Sequence, residues 1–133
     1  MSAVPLESPI HVLLVEDHEL LRKVIQRTLT SRGFQVTLAT TGDEAAKLVE
    51  EGTAPDILLC DVRMPGHFNG LELARRLRLR DSKLAILLMT GFAEVDTGGF
   101  RVLLKPFDPR TLVTAIREAL LAAGKDVETL PEH

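Results

Sequence analysis

The chain has 133 residues, 45% of them hydrophobic and 26% charged, with a formal charge of -3. That length suits one compact domain with a substantial core, and the acidic balance gives no general pull toward nucleic acid or an anionic membrane. The single cysteine, Cys60, excludes an internal disulfide and suits a reducing, cytoplasmic setting, and no apolar run approaches the roughly 20 residues of a membrane span.

The opening "MSAVPLESP" (1–9) lacks a basic n-region and an apolar h-region, so it reads as a flexible lead-in and not as a secretory signal. "IHVLLV" (10–15) is the first strand. Leu21, Val24, Ile25, Thr28 and Leu29 then recur at helical spacing until Gly33 stops them. "FQVTLA" (34–39) is the second strand, followed by a helix from Asp43 to Glu51 that Gly52 closes. "DILLC" (56–60) is the third strand, and Gly70 to Leu79 forms a helix rich in Leu and Arg. "AILLM" (85–89) is the fourth. Between Met89 and Arg101 stands "TGFAEVDTGGF", with three glycines and weak periodicity, so this connection is a loop or a stunted helix. "RVLL" (101–104) is the last strand. Asp108 then caps a helix with Pro109 in its first turn and one stripe of Leu112, Ala115, Ile116, Ala119 and Leu120. The polar stretch 124–133 reads as a tail or a truncated linker. Strands and helices that alternate at this spacing imply an α/β fold, a parallel sheet with helices on both faces.

In open parallel sheets, sites form beyond the carboxyl ends of the strands. Strand one ends in Glu16 and Asp17, strand three in Asp61, strand four in Thr90 and strand five in Lys105. Each has an ordinary reading alone: acids at a helix start, a turn threonine, a solvated lysine. Their convergence on one edge is harder to attribute to chance. Clustered carboxylates invite a hard cation such as Mg²⁺, with Asp17 and Asp61 as direct ligands and Glu16 acting through water. A carboxylate so held can attack phosphorus and form an acyl phosphate, with Lys105 and Thr90 facing the phosphoryl oxygens. Asp61 is then the nucleophile.

"LLVEDHELLRKVI", "DILLCDVRMPGHFNGLELARRL", "LLMTG" and "LLKPFDPRTL" together resemble the receiver domain of two-component response regulators, over roughly residues 10–122 of a domain expected to span 10–123. The resemblance implies a single doubly wound, flavodoxin-like sheet of five strands in the order 2-1-3-4-5. It implies phosphorylation of Asp61 by a histidine kinase or phosphotransfer protein, a Mg²⁺ ion that also takes the backbone carbonyl of Arg63, and an unknown downstream protein, with no direct contact to nucleic acid or membrane. It also implies a cis bond before Pro106, which the small trans preference of X-Pro bonds permits. The loop "MPGHFNG" and the ending "KPFDPRTL" look closer to receivers of hybrid sensor kinases than to those of transcription factors. Two features depart from the family: Val102 stands where an aromatic switch is common, and the fourth helix is short or absent. Rearrangement on activation is therefore expected in residues 91–100, with the last helix nearly still.

Other readings are a receiver-fold scaffold that works without phosphorylation, a Mg²⁺-dependent aspartyl-phosphate hydrolase, and a flavin carrier. The hydrolase needs a second acid at position 63, where Arg63 stands, and the flavin carrier needs a Ser/Thr-rich phosphate loop after strand one. Cys60 reads as a buried, inert thiol, and His11, His18, His67 and His133 as unrelated surface or loop residues. "ARRLRLR" (74–80) reads as a solvated face. Phe107 reads as packing, while Phe68, Phe92 and Phe100 flank the loops.

Overall fold

A computed structural model describes residues 9–64, 66, 69–92, 97–125 and 127. Five strands form one parallel sheet: β1 (His11–Val15), β2 (Gln35–Ala39), β3 (Ile57–Asp61), β4 (Ala85–Thr90) and β5 (Arg101–Leu104), in the order β2-β1-β3-β4-β5. Four helices connect or follow them: α1 (Glu19–Ser31), α2 (Gly42–Glu50), α3 (Gly70–Arg80) and α4 (Pro109–Ala122). The expected order and class are borne out, with element ends shifted by a residue. No helix occurs among the described residues between β4 and β5, where residues 93–96 lie outside them.

The apolar runs are strands because they are covered on both sides. Along β1, Val12 and Leu14 face a core shared with Ile25 and Leu29 of α1 and Leu112, Ile116 and Leu120 of α4. Leu13 and Val15 face the opposite core, built with Ala45 of α2 and Leu73, Ala74 and Leu77 of α3. This period-2 alternation between two apolar layers explains the near-continuous Val, Ile and Leu of β1, β3 and β4. All five residues of β3 are buried, Asp61 included.

Local chemistry sets the helix boundaries. The Thr41 side chain accepts the Glu44 N–H at the start of α2, and Asp108 accepts Thr111 N–H at the start of α4. Asn69 and Glu72 form a reciprocal capping box on α3. Gly33 (φ 92°) and Gly52 (φ 115°) take the left-handed conformation just beyond α1 and α2, as expected of helix stops.

Three expectations need correction. Val24 does not join the buried stripe of α1; it lies 53% exposed beside Leu20, because the face of α1 that meets the sheet is narrow and centred on Ile25 and Leu29. His18 is an exposed loop residue as expected, and its Nδ1 also caps α1 by accepting Leu21 N–H at 3.2 Å. His11, half-buried on β1, bonds Thr37 Oγ1 through Nε2 at 2.7 Å. The basic run on α3 is not wholly solvated either. Arg78 donates to the Leu84 carbonyl at 3.1 Å and covers the ring of Phe100. His67, Phe68 and His133 lie outside the described residues, as do most of the lead-in and tail.

Candidate functional site at the carboxyl edge of the sheet

Because every strand runs the same way, the exits of β1, β3, β4 and β5 open on one edge, and the residues singled out above meet there. Asp61 ends β3 at 8% exposure, and Glu16, just past β1, is only 1% exposed. Asp17 is exposed beside it. Lys105 follows β5, its backbone N–H bonded to the Thr90 carbonyl at 2.8 Å, and the Lys105–Pro106 bond is cis, as expected.

The ammonium of Lys105 bridges two carboxylates, at 2.5 Å from Asp61 Oδ2 and 3.1 Å from Glu16 Oε1. Glu16 Oε2 accepts the His18 N–H at 3.0 Å, so both of its oxygens are engaged. Asp61 Oδ1 accepts the Arg63 N–H at 3.1 Å. Burial pushes the Glu16 carboxyl above its ordinary range; the bonds from His18 and Lys105 oppose that, and the charge of Asp61 adds to it. For Lys105 burial pulls downward, but the bond and charge of Asp61, followed by those of Glu16, outweigh it and hold the ammonium above its ordinary range. The lysine is therefore a fixed cation set between two acids.

Glu16, Asp17 and Asp61 each offer a carboxylate oxygen, and these oxygens lie within 4.8 Å of one another. Three hard oxygen donors in that space suit Mg²⁺, which takes one or two carboxylates and keeps its waters. Asp17, exposed, and Asp61 are the residues best placed to hold it directly. Thr90, 2% exposed, accepts the Phe92 N–H on Oγ1 at 3.1 Å, which leaves its own O–H as a donor. The Arg63 side chain lies over the ring of Phe92, 4.4 Å from its centre. Cys60 is fully buried, and burial, followed by the charges of Asp61 and Glu16, lifts its thiol well above the ordinary range, so it stays protonated.

A positioning residue not foreseen as such is Gly70, the first residue of α3. Its N–H bonds the Val62 carbonyl at 2.8 Å, and a Cβ there would lie 2.1 Å from the Asp61 carbonyl oxygen. Only glycine lets the helix sit this close to the strand exit. Arg22 is another: its Nη1 donates to the Glu16 carbonyl at 3.0 Å and braces the turn that carries the acidic pair.

A family model described as the response regulator receiver domain matches residues 12–117. The chain belongs to that family. This receiver is 35% identical over 127 residues to the uncharacterized transcriptional regulatory protein YkoG of Bacillus subtilis, covering 90% of this chain and 55% of that protein. It is 33% identical over 114 residues to the DNA-binding transcriptional regulator NtrC of Klebsiella pneumoniae, covering 80% of this chain and 24% of that one. Among solved structures, a response regulator receiver protein from Sinorhizobium medicae superposes with a TM-score of 0.77 at 29% identity, covering 86% of this chain and 97% of that chain. The receiver domain of the hybrid histidine kinase CckA does so with a TM-score of 0.71 at 34% identity, covering 83% and 98%. Similarity to a hybrid-kinase receiver is thus found beside similarity to regulators. This receiver spans about half the length of YkoG and a quarter of NtrC. Receivers are signalling modules, and among the described residues no helix is long and apolar enough to cross a membrane.

Proposed function

We propose that Asp61 is the phosphoacceptor and that the donor is a phosphohistidine on a histidine kinase or phosphotransfer protein. The supporting observation is one carboxylate, nearly buried at a strand tip, held by a lysine on Oδ2 and a backbone N–H on Oδ1 and faced by two further acids. An Asp61 oxygen attacks phosphorus; the P–O bond forms as the P–N bond breaks, and the imidazole nitrogen leaves with the electron pair and takes up a proton. Lys105 meets the charge that builds on one equatorial oxygen, and the Thr90 hydroxyl donates to another. Mg²⁺, when bound by Asp17, Asp61 and the Arg63 carbonyl, supplies positive charge to the phosphoryl oxygens, with Glu16 supporting it through water. The hydrolase reading gains nothing here, since position 63 carries a guanidinium stacked on Phe92 instead of an acid. With a net charge of -3, the domain passes its signal through protein contacts and does not bind nucleic acid itself.

Incubated with Mg²⁺ and a small phosphodonor, the protein is expected to gain the mass of one phosphoryl group, and Asp61→Asn to gain none. Equal uptake by Asp61→Asn would remove Asp61 from this role. Asp17→Ala is expected to lose Mg²⁺ binding, measured by calorimetry, while its melting temperature holds or rises, because one of three mutually repelling acids is gone. A large fall in melting temperature would mark Asp17 as structural. The expected rearrangement of 91–100 falls partly on residues 93–96, which lie outside the described residues. Gly91, Phe92 and residues 97–100 flank them.

A further inference from the structure

A groove runs between α2 and α3, away from the acidic edge. Ala46 and Val49 of α2 and Leu77 and Leu79 of α3 line roughly 340 Å³ of it. Past Val49, Leu77 and Arg80 it continues into a hollow of roughly 230 Å³ against Pro55 and Leu84. Leu79 stands at its rim, 90% exposed. A lone exposed leucine needs no explanation, but one beside an apolar hollow of leucine dimensions is half of a contact.

The rims carry opposite charge. Arg76 and Arg80 lie four residues apart on α3, a spacing at which like charges repel and an acidic neighbour is favoured. Opposite them, α2 ends in the exposed pair Glu50 and Glu51, and Arg76 already reaches Glu50 at 3.8 Å within the chain.

We propose that this face is a two-fold contact between two copies of the chain. Leu79 of each copy seats in the α2–α3 groove of the other, and Arg80 of each meets the acidic end of the partner's α2. A second copy fits better than an unrelated protein because the patch carries both halves of its own complement, knob with hollow and arginine row with glutamate pair. A two-fold axis sets each half against its counterpart. The contact is small and hence weak. It also leaves the Asp61 edge open: α3 begins at Gly70 beside Asp61, and Leu79 lies about 14 Å further along the helix at 1.5 Å per residue. The proposal therefore stands apart from the role of Asp61.

Sedimentation velocity on the whole chain, over a concentration series at low and high salt, tests it. The wild type is expected to shift from monomer toward dimer as concentration rises, and less so in high salt. Leu79→Glu is expected to stay monomeric throughout. Its fold and phosphoryl uptake should be unchanged, because residue 79 is on the surface and far from Asp61. Arg80→Glu should weaken the dimer, and Arg80→Glu combined with Glu51→Arg should restore it. A wild type that is monomeric at every concentration overturns the proposal, as does a dimer that Leu79→Glu leaves intact.

Discussion

Gly70→Ala is expected to destabilise the domain by about 3 kcal/mol, although the same exchange at an ordinary helix position stabilises by about 1 kcal/mol. The reversal comes from what the new methyl would meet. Its three nearest atoms are the Asp61 carbonyl oxygen at 2.1 Å, Val62 Cα at 2.8 Å and the Asp61 carbonyl carbon at 2.9 Å. All are backbone, so no side chain can rotate aside. Either α3 lifts off the strand exit and loses the Gly70–Val62 hydrogen bond, or the tip of β3 shifts and moves Asp61 out of reach of Lys105. Both outcomes lower the urea midpoint, and the second also slows phosphoryl uptake. Gly91→Ala is the control, since nothing lies within 4 Å of a Cβ there and its φ is ordinary. A Gly70→Ala protein as stable as the wild type would mean that the helix does not approach the strand this closely.

The sheet was legible because parallel strands buried on both faces leave a signature that survives without neighbours: unbroken Val, Ile and Leu in β1, β3 and β4. The convergence of Glu16, Asp61, Thr90 and Lys105 was legible for a topological reason. Once the strands are parallel, residues that end them must share an edge. Contacts that depend on the third dimension were hidden. Nothing in the spacing shows that each oxygen of Glu16 already accepts a hydrogen bond, or that Arg63 lies over the ring of Phe92. The periodicity of α1 grouped Val24 with Ile25, yet the two lie about 100° apart on the helix, and here Ile25 is buried while Val24 is left exposed. Gly70 read as an ordinary helix start because the backbone it touches is nine residues earlier in the chain. An acidic strand tip followed closely by a helix-opening glycine is the signal that could have marked it. The three glycines of the β4–β5 connection argued for a loop or a stunted helix, and its described residues carry no helix.

Lys105→Met keeps most of the side-chain stem and removes the charge, and it is expected to destabilise the domain by about 2 kcal/mol at neutral pH. Breaking a fully buried ion pair costs about 3–5 kcal/mol because the remaining charge loses its partner. Here the lysine is 24% exposed, so water screens part of the loss. The partner left worst off is Glu16, 1% exposed, whose carboxyl already sits above its ordinary range through burial and would rise further without the ammonium. A group whose folded-state pKa is raised favours the folded protein when protonated, and that contribution fades as pH climbs through the folded pKa. In the variant, protonation of Glu16 removes the uncompensated charge. The gap in urea midpoint between wild type and Lys105→Met should therefore be widest at neutral pH and narrow as acidification protonates Glu16. A gap that stays constant as pH falls would show that Lys105 stabilises the fold by packing its stem, and that the bridge to Glu16 and Asp61 contributes little net stability.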